Sequence, residues 1–167
     1  SIHHAFELVG GVDPSETQCD LFQQHYGQTA YSTIASALKE HKVSVVVIAA
    51  PTTQHSFILK EILVHLTPKL ILCEKPLAYD LDEACEMVDY CEKAGVKLLV
   101  NYMRRSDPGA IEIKARIYSG KIATPIKGVV WYSKGFLHNG SHFFNLLEFW
   151  LGSFVRAKIL DAGRLWD

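Results

Sequence analysis

The sequence predicts an α/β protein built on a doubly wound parallel sheet, and three observations carry that reading. Strand-like and helix-like segments alternate as β-α-β-α-β-α-β over residues 6–101. The runs Val43–Ala50 and Lys69–Cys73 are nearly all apolar, as strands buried on both faces are. Polar clusters then follow the strands: Asp13, Ala50-Pro51-Thr52, Glu74-Lys75-Pro76 and Asn101-Tyr102. Open parallel sheets bind ligands beyond their carboxyl ends, so these clusters mark one edge where chemistry is expected.

Phe6–Asp13 is a short apolar stretch ending in an acid, and Pro14 then opens a helix to about Tyr26. Tyr31-Ser32-Thr33 caps a second helix through Lys39, and Val43–Ala50 is the next strand. Pro51-Thr52-Thr53 starts a helix to about Leu66, followed by a strand from Lys69 to Cys73. Asp80 is the expected N-cap of a helix reaching Ala94, Gly95 its stop, and Val96–Val100 the strand after it. Beyond Arg104 the alternation ends and a second domain begins. It has a helix from about Gly109 to Ser119, a turn at Gly120, an extended run from Pro125 to Lys134, a helix over Ser141–Leu151 and a strand over Phe154–Leu160. The expected domains are residues 1–103 and 104–167, with a sheet so small that the chain is expected to be cut short.

Bulk properties narrow the function. The 167 residues are 49% hydrophobic and 21% charged, an ordinary packed composition. Lys+Arg 17 against Asp+Glu 18 leaves a net charge of -1, too little positive field for nucleic acid or an anionic membrane surface. No apolar run approaches the roughly 18 residues of a membrane span, and the chain reads as soluble and cytoplasmic. Cys19, Cys73, Cys85 and Cys91 form no Cys-x-x-Cys pair and read as reduced thiols rather than a disulfide or metal framework.

Glu74-Lys75-Pro76, taken with Ala50-Pro51-Thr52-Thr53-Gln54-His55 and Gly140-Ser141-His142, resembles the glucose–fructose oxidoreductase / inositol dehydrogenase / MocA family. Asp13, Asn101-Tyr102-Met103-Arg104-Arg105 and Gly120-Lys121-Ile122 support the resemblance, which spans nearly the whole chain. It implies a Rossmann-like domain followed by a substrate and oligomerisation domain, with homo-oligomers formed through the latter. It also implies an NAD(P)-dependent dehydrogenase acting on a secondary alcohol of a sugar, sugar nucleotide or cyclitol. On this alignment Ser1 falls inside the first helix. The opening strand and its Gly-rich phosphate loop are then missing, and with them a large part of the expected cofactor affinity. Two positions depart from the family: His138 and Asn145 stand where many members carry Asp.

The resemblance implies cofactor contacts from Asp13, Ala50, Pro51, Thr52, His55, Glu74, Lys75 and Pro76. Asp13 suits the ribose hydroxyls and repels a 2′-phosphate, so NAD is expected over NADP; the alternative is a helix-capping Asp. Lys75 is the expected electrostatic partner of a developing alkoxide, against the commoner fate of a surface lysine. His142 is the expected general base, since imidazole titrates near working pH. Substrate contacts are expected from His138, Asn139, Asn101 and Arg104. His138 and His142 also have the spacing of a zinc pair, but the zincin Glu is absent and Gly140 is expected to interrupt a helix between them. Three other readings stay open: a zinc-dependent hydrolase, a non-catalytic binding protein on the same fold, and NAD-assisted glycoside cleavage.

Overall fold

The computed structural model describes residues 5–158, which divide into two compact units, residues 5–101 and 102–158. In the first unit the elements run β1 (Gly11–Val12), α1 (Glu16–Tyr26), β2 (Ala30–Tyr31), α2 (Ile34–Glu40), β3 (Val45–Ile48), α3 (His55–His65), β4 (Leu70–Glu74), α4 (Leu81–Lys93) and β5 (Lys97–Asn101). The second has α5 (Pro108–Tyr118) and α6 (Ser141–Leu151), with a π-helical turn, Phe136–Gly140, running directly into α6.

Local sequence explains the helix ends. The Thr33 hydroxyl accepts from the Ser36 N–H at the start of α2, and the Asp80 carboxylate accepts from the N–H groups of Asp82 and Glu83 at the start of α4. Asp107 does the same for Gly109 and Ala110 ahead of Pro108, whose missing N–H costs nothing at a first helical position. Gly27 ends α1 in the left-handed region at φ 67°, donating its N–H to Gln23 O.

Among the described residues all strand pairing is parallel, in two blocks: β1 with β2, and β3-β4-β5. These correspond to the 3-2 and 4-5-6 portions of the doubly wound order, with no strand among the described residues hydrogen-bonded between β1 and β3. β2 was not expected from the sequence, and β1 is far shorter than the apolar stretch Phe6–Asp13. Its ladder ends where β2 ends, held by Gly11 N–H to Thr29 O and Asp13 N–H to Tyr31 O.

The core of this unit lies between the β3-β4-β5 sheet and one helical layer. Ile48, Ile71 and Cys73 pack with Leu59 and Ile62 of α3 and Met87 and Cys91 of α4. The expectation that β3 is buried on both faces is corrected, because Val47 is 58% exposed and Leu99 of β5 is 43% exposed. Both crossover helices cover the face carrying Ile48, Ile71 and Cys73, while β3 has a single ladder partner among the described residues.

In the second unit Trp150 Nε1–H donates to Ala110 O and ties α6 to α5. The run expected to be extended over residues 125–134 forms no strand among the described residues. Without a neighbouring ladder among the described residues, an extended segment has no strand partner, and Trp131 is 88% exposed. Residues 154–158 are likewise unpaired, and the end of the strand expected at Phe154–Leu160 lies outside the described residues. No helix of the described residues is long and apolar enough to cross a membrane.

Candidate functional site

Strand register brings the polar clusters of the first unit to one edge. Ile48 aligns with Cys73, and Glu74 with Asn101 in the last row of the β4–β5 ladder, so Ala50-Pro51-Thr52, Glu74-Lys75-Pro76 and Asn101 lie at or just beyond the carboxyl ends of three adjacent strands. Glu74 and Asn101 are directly opposite, and the Asn101 Nδ2–H donates to Glu74 Oε1 at 2.6 Å. A residue expected to meet cofactor and one expected to meet substrate are therefore joined. Lys75 and Thr52 are half-buried, Pro51 is exposed, and the Lys75–Pro76 peptide is cis.

Beneath this edge the environment is apolar. Burial pushes the Cys73 thiol up to about 12, helped by the neighbouring Glu74 charge and by Cys91, so Cys73 is an inert core thiol. His55 starts α3 and is only 1% exposed, with Nε2 2.9 Å from Ala50 O and Nδ1 3.1 Å from Leu77 O. Both ring nitrogens thus lie within hydrogen-bond distance of carbonyls of the fold itself.

Asp13 follows β1 and is half-buried, with Oδ1 accepting the Ser15 N–H at 2.8 Å. One carboxylate oxygen thus shapes the turn into α1, whose N-cap is Ser15 rather than Asp13. Close by in sequence register, the Tyr31 hydroxyl lies 2.8 Å from Glu40 Oε2 and 2.9 Å from His41 Nε2. The hydrogen bond to Glu40, and then burial, raise the Tyr31 phenol above its ordinary value. Sequence reading missed this network because no periodicity links β2 to the end of α2.

In the second unit His142 is the second residue of α6 and is buried, with the Tyr102 ring edge-on at a centroid distance of 5.7 Å. His138 is exposed and Asn139 half-buried in the π-helical turn. The expected break at Gly140 is corrected: its φ of -57° and ψ of -40° are helical. The missing Cβ serves packing instead, since one would lie 2.9 Å from both Phe136 and Tyr132. Helical backbone therefore links His138 to His142, yet no group of three or more His, Cys, Asp or Glu among the described residues could hold a metal ion.

Arg104 lies over the Phe143 ring at 5.1 Å. The Arg105 guanidinium donates to Asn145 Oδ1 and, at 3.1 Å, to Asn145 O, and pairs with Glu148 at 3.4 Å. Asn145, one of the two departures from the family pattern, is thus part of a clamp on α6.

The oxidoreductase family with an NAD-binding Rossmann fold, GFO_IDH_MocA, matches residues 1–102, more than half of the chain. The chain belongs to this family. It is 34% identical over 134 residues to an inositol 2-dehydrogenase of Rubrobacter xylanophilus, covering 80% of this chain and 38% of that protein. Identity is also 34% over 144 residues to the scyllo-inositol 2-dehydrogenase (NAD(+)) of Bacillus subtilis, covering 80% of this chain and 40% of that one. This family member therefore spans about two fifths of the length of those curated relatives. Its fold matches an oxidoreductase from Agrobacterium radiobacter, crystallised with NAD+, L-tartaric acid and magnesium, at a TM-score of 0.76 and 22% identity, over 92% of this chain and 51% of that chain.

Proposed function

We propose that the full-length protein is an NAD-dependent dehydrogenase acting on a secondary alcohol of a sugar, sugar nucleotide or cyclitol. The observation that carries this reading is the alignment of Ala50-Pro51-Thr52, Glu74-Lys75-Pro76 and Asn101 at the carboxyl ends of three parallel strands. The relatives named inositol dehydrogenases point to the same substrate chemistry.

The donor set suits a nicotinamide dinucleotide. Asp13 supplies a carboxylate beyond β1 for ribose hydroxyls, and the Ala50–Thr52 and Glu74–Pro76 loops supply main-chain groups and one cation at the sheet edge. When bound, NAD supplies the hydride acceptor, whose redox chemistry a protein only positions. Lys75 stabilises the negative charge that develops on the substrate oxygen. His142 accepts the hydroxyl proton at a ring nitrogen, and burial of its side chain excludes water from that exchange. His138, Asn139, Asn101 and Arg104 are assigned to substrate hydroxyls. Homo-oligomer contacts are assigned to the second unit, where Val129 and Trp131 are exposed.

The test is NADH formation by the full-length protein across a panel of cyclitols, aldoses and sugar nucleotides, with NAD binding followed by calorimetry. Turnover of at least one such alcohol is expected. NAD binding with no alcohol oxidised in either direction would overturn the reading.

A further inference from the structure

The two carbonyls that meet the His55 ring belong to different loops: Ala50 follows β3, and Leu77 follows β4, two residues beyond Lys75. The β3–β4 register ends at Ile48 and Cys73, so the ladder stops short of both loops. The imidazole spans the interval where the ladder stops. Carbonyl oxygens only accept, so each contact needs a ring N–H; a ring with one proton closes one of them and a ring with two closes both.

We infer that His55 is a positioning residue that ties the loop after β3 to the loop after β4 and thereby fixes the backbone carrying Lys75. The inference rests on the dehydrogenase reading for the role of Lys75. An apolar side chain could fill the same buried volume without engaging two carbonyls. Those carbonyls lie in or next to the segments proposed to meet cofactor and substrate, Ala50–Thr52 and Glu74–Pro76. Catalysis is sensitive to such support, because a shift of about 1 Å in a reacting group can cost roughly 10²-fold in rate.

Substitutions in the full-length protein separate the two contacts. An Asn amide reaches about as far as Nδ1 and keeps the Leu77 contact, a Gln amide reaches about as far as Nε2 and keeps the Ala50 contact, and Leu keeps neither. His55→Gln and His55→Leu are expected to lose roughly 10²-fold in kcat and His55→Asn less than about tenfold, with NAD affinity little changed. The loss in His55→Leu should largely vanish when added to Lys75→Ala, because both changes act on one group. Equal losses in the Asn and Gln variants that track Tm, or a full loss persisting in the Lys75→Ala background, would overturn the inference. Amide hydrogen exchange gives a readout free of substrate: residues 75–79 should exchange faster in His55→Gln and His55→Leu than in the wild type, with α3 unchanged. Unaltered exchange at 75–79 would overturn the brace even if turnover fell. Should the wild type oxidise no alcohol, the dehydrogenase reading fails and the exchange experiment decides the brace by itself.

Discussion

At the scale of single residues, the proposed chemistry separates into groups presented for reaction and groups that hold them. In the full-length protein Lys75→Ala should lower kcat by roughly 10²–10³ through loss of a fixed counter-charge. His142→Ala should lower it by about 10²–10⁴ through loss of a positioned proton acceptor. NAD affinity should stay nearly constant in both, and the double variant should be far less impaired than the product of the singles. Steady-state kinetics with calorimetry checks this, and near-normal turnover in either single variant would refute the assigned role. Asp13 combines its proposed ribose contact with a structural role, since its Oδ1 already accepts the Ser15 N–H. Asp13→Ser keeps an oxygen acceptor for that turn while removing the charge. It should therefore narrow the ratio of kcat/KM for NAD over NADP with little change in Tm; an unchanged ratio would leave Asp13 a turn-former alone.

Elements are set mainly by their ends. Asp80 satisfies two otherwise unpaired N–H groups of α4, at 2.9 Å to Asp82 and 3.2 Å to Glu83. Asp80→Ala should destabilise the chain by about 0.5–2 kcal/mol, read from the urea midpoint at constant m-value. Because α4 carries Met87 and Cys91 into the core, fraying at its start loosens packing that reaches β4. The same logic explains the continuous path from the π-helical turn into α6. Gly140 adopts ordinary helical angles, and its lack of a Cβ admits Phe136 and Tyr132.

On the scale of the whole molecule, stability concentrates on one face of the larger sheet. Ile71 is fully buried whereas Val47 is 58% exposed, so Ile71→Ala should cost about 2–5 kcal/mol. Val47→Ala should cost well under half of that, as an exposed site allows; equal costs would show that the outer face is covered in solution. The core also carries a pH dependence. Cys73 rises from its ordinary value of 9.0 to about 12 in the fold, and burial raises Cys91 as well. The unfolded thiol loses its proton first, so this contribution is fully present below about pH 9 and is lost as pH rises from about 9 through 12. Urea melts across that range should show falling stability, reduced in slope by Cys73→Ala. At neutral pH a thiol reagent should modify exposed Cys85 well before Cys73 or Cys91.

Apolar runs, cap residues and Gly95 located α1, α2, α4, α5 and α6 and the end of α3 within a residue or two, because helix ends and periodicity are local properties of the chain, whereas α3 starts only at His55, after a 3-10 turn over Thr52–Gln54. The β-α alternation likewise located β3, β4 and β5 and the polar clusters at their carboxyl ends. Pairing is not local. β2 exists because Ala30-Tyr31 meets β1, and the run 125–134 is no strand because no partner among the described residues meets it. The side Val47 presents to solvent depended on where α3 and α4 settle, which no run of β-branched residues encodes. The candidate site divides in the same way: the family resemblance carried by the sequence named Lys75, Asp13 and His142 as expected site residues. Tertiary structure decided that His55 is spent on Ala50 and Leu77, that Asn101 holds Glu74 and that Asn145 holds Arg105, since hydrogen bonds between distant segments form only once folding has brought donor and acceptor together.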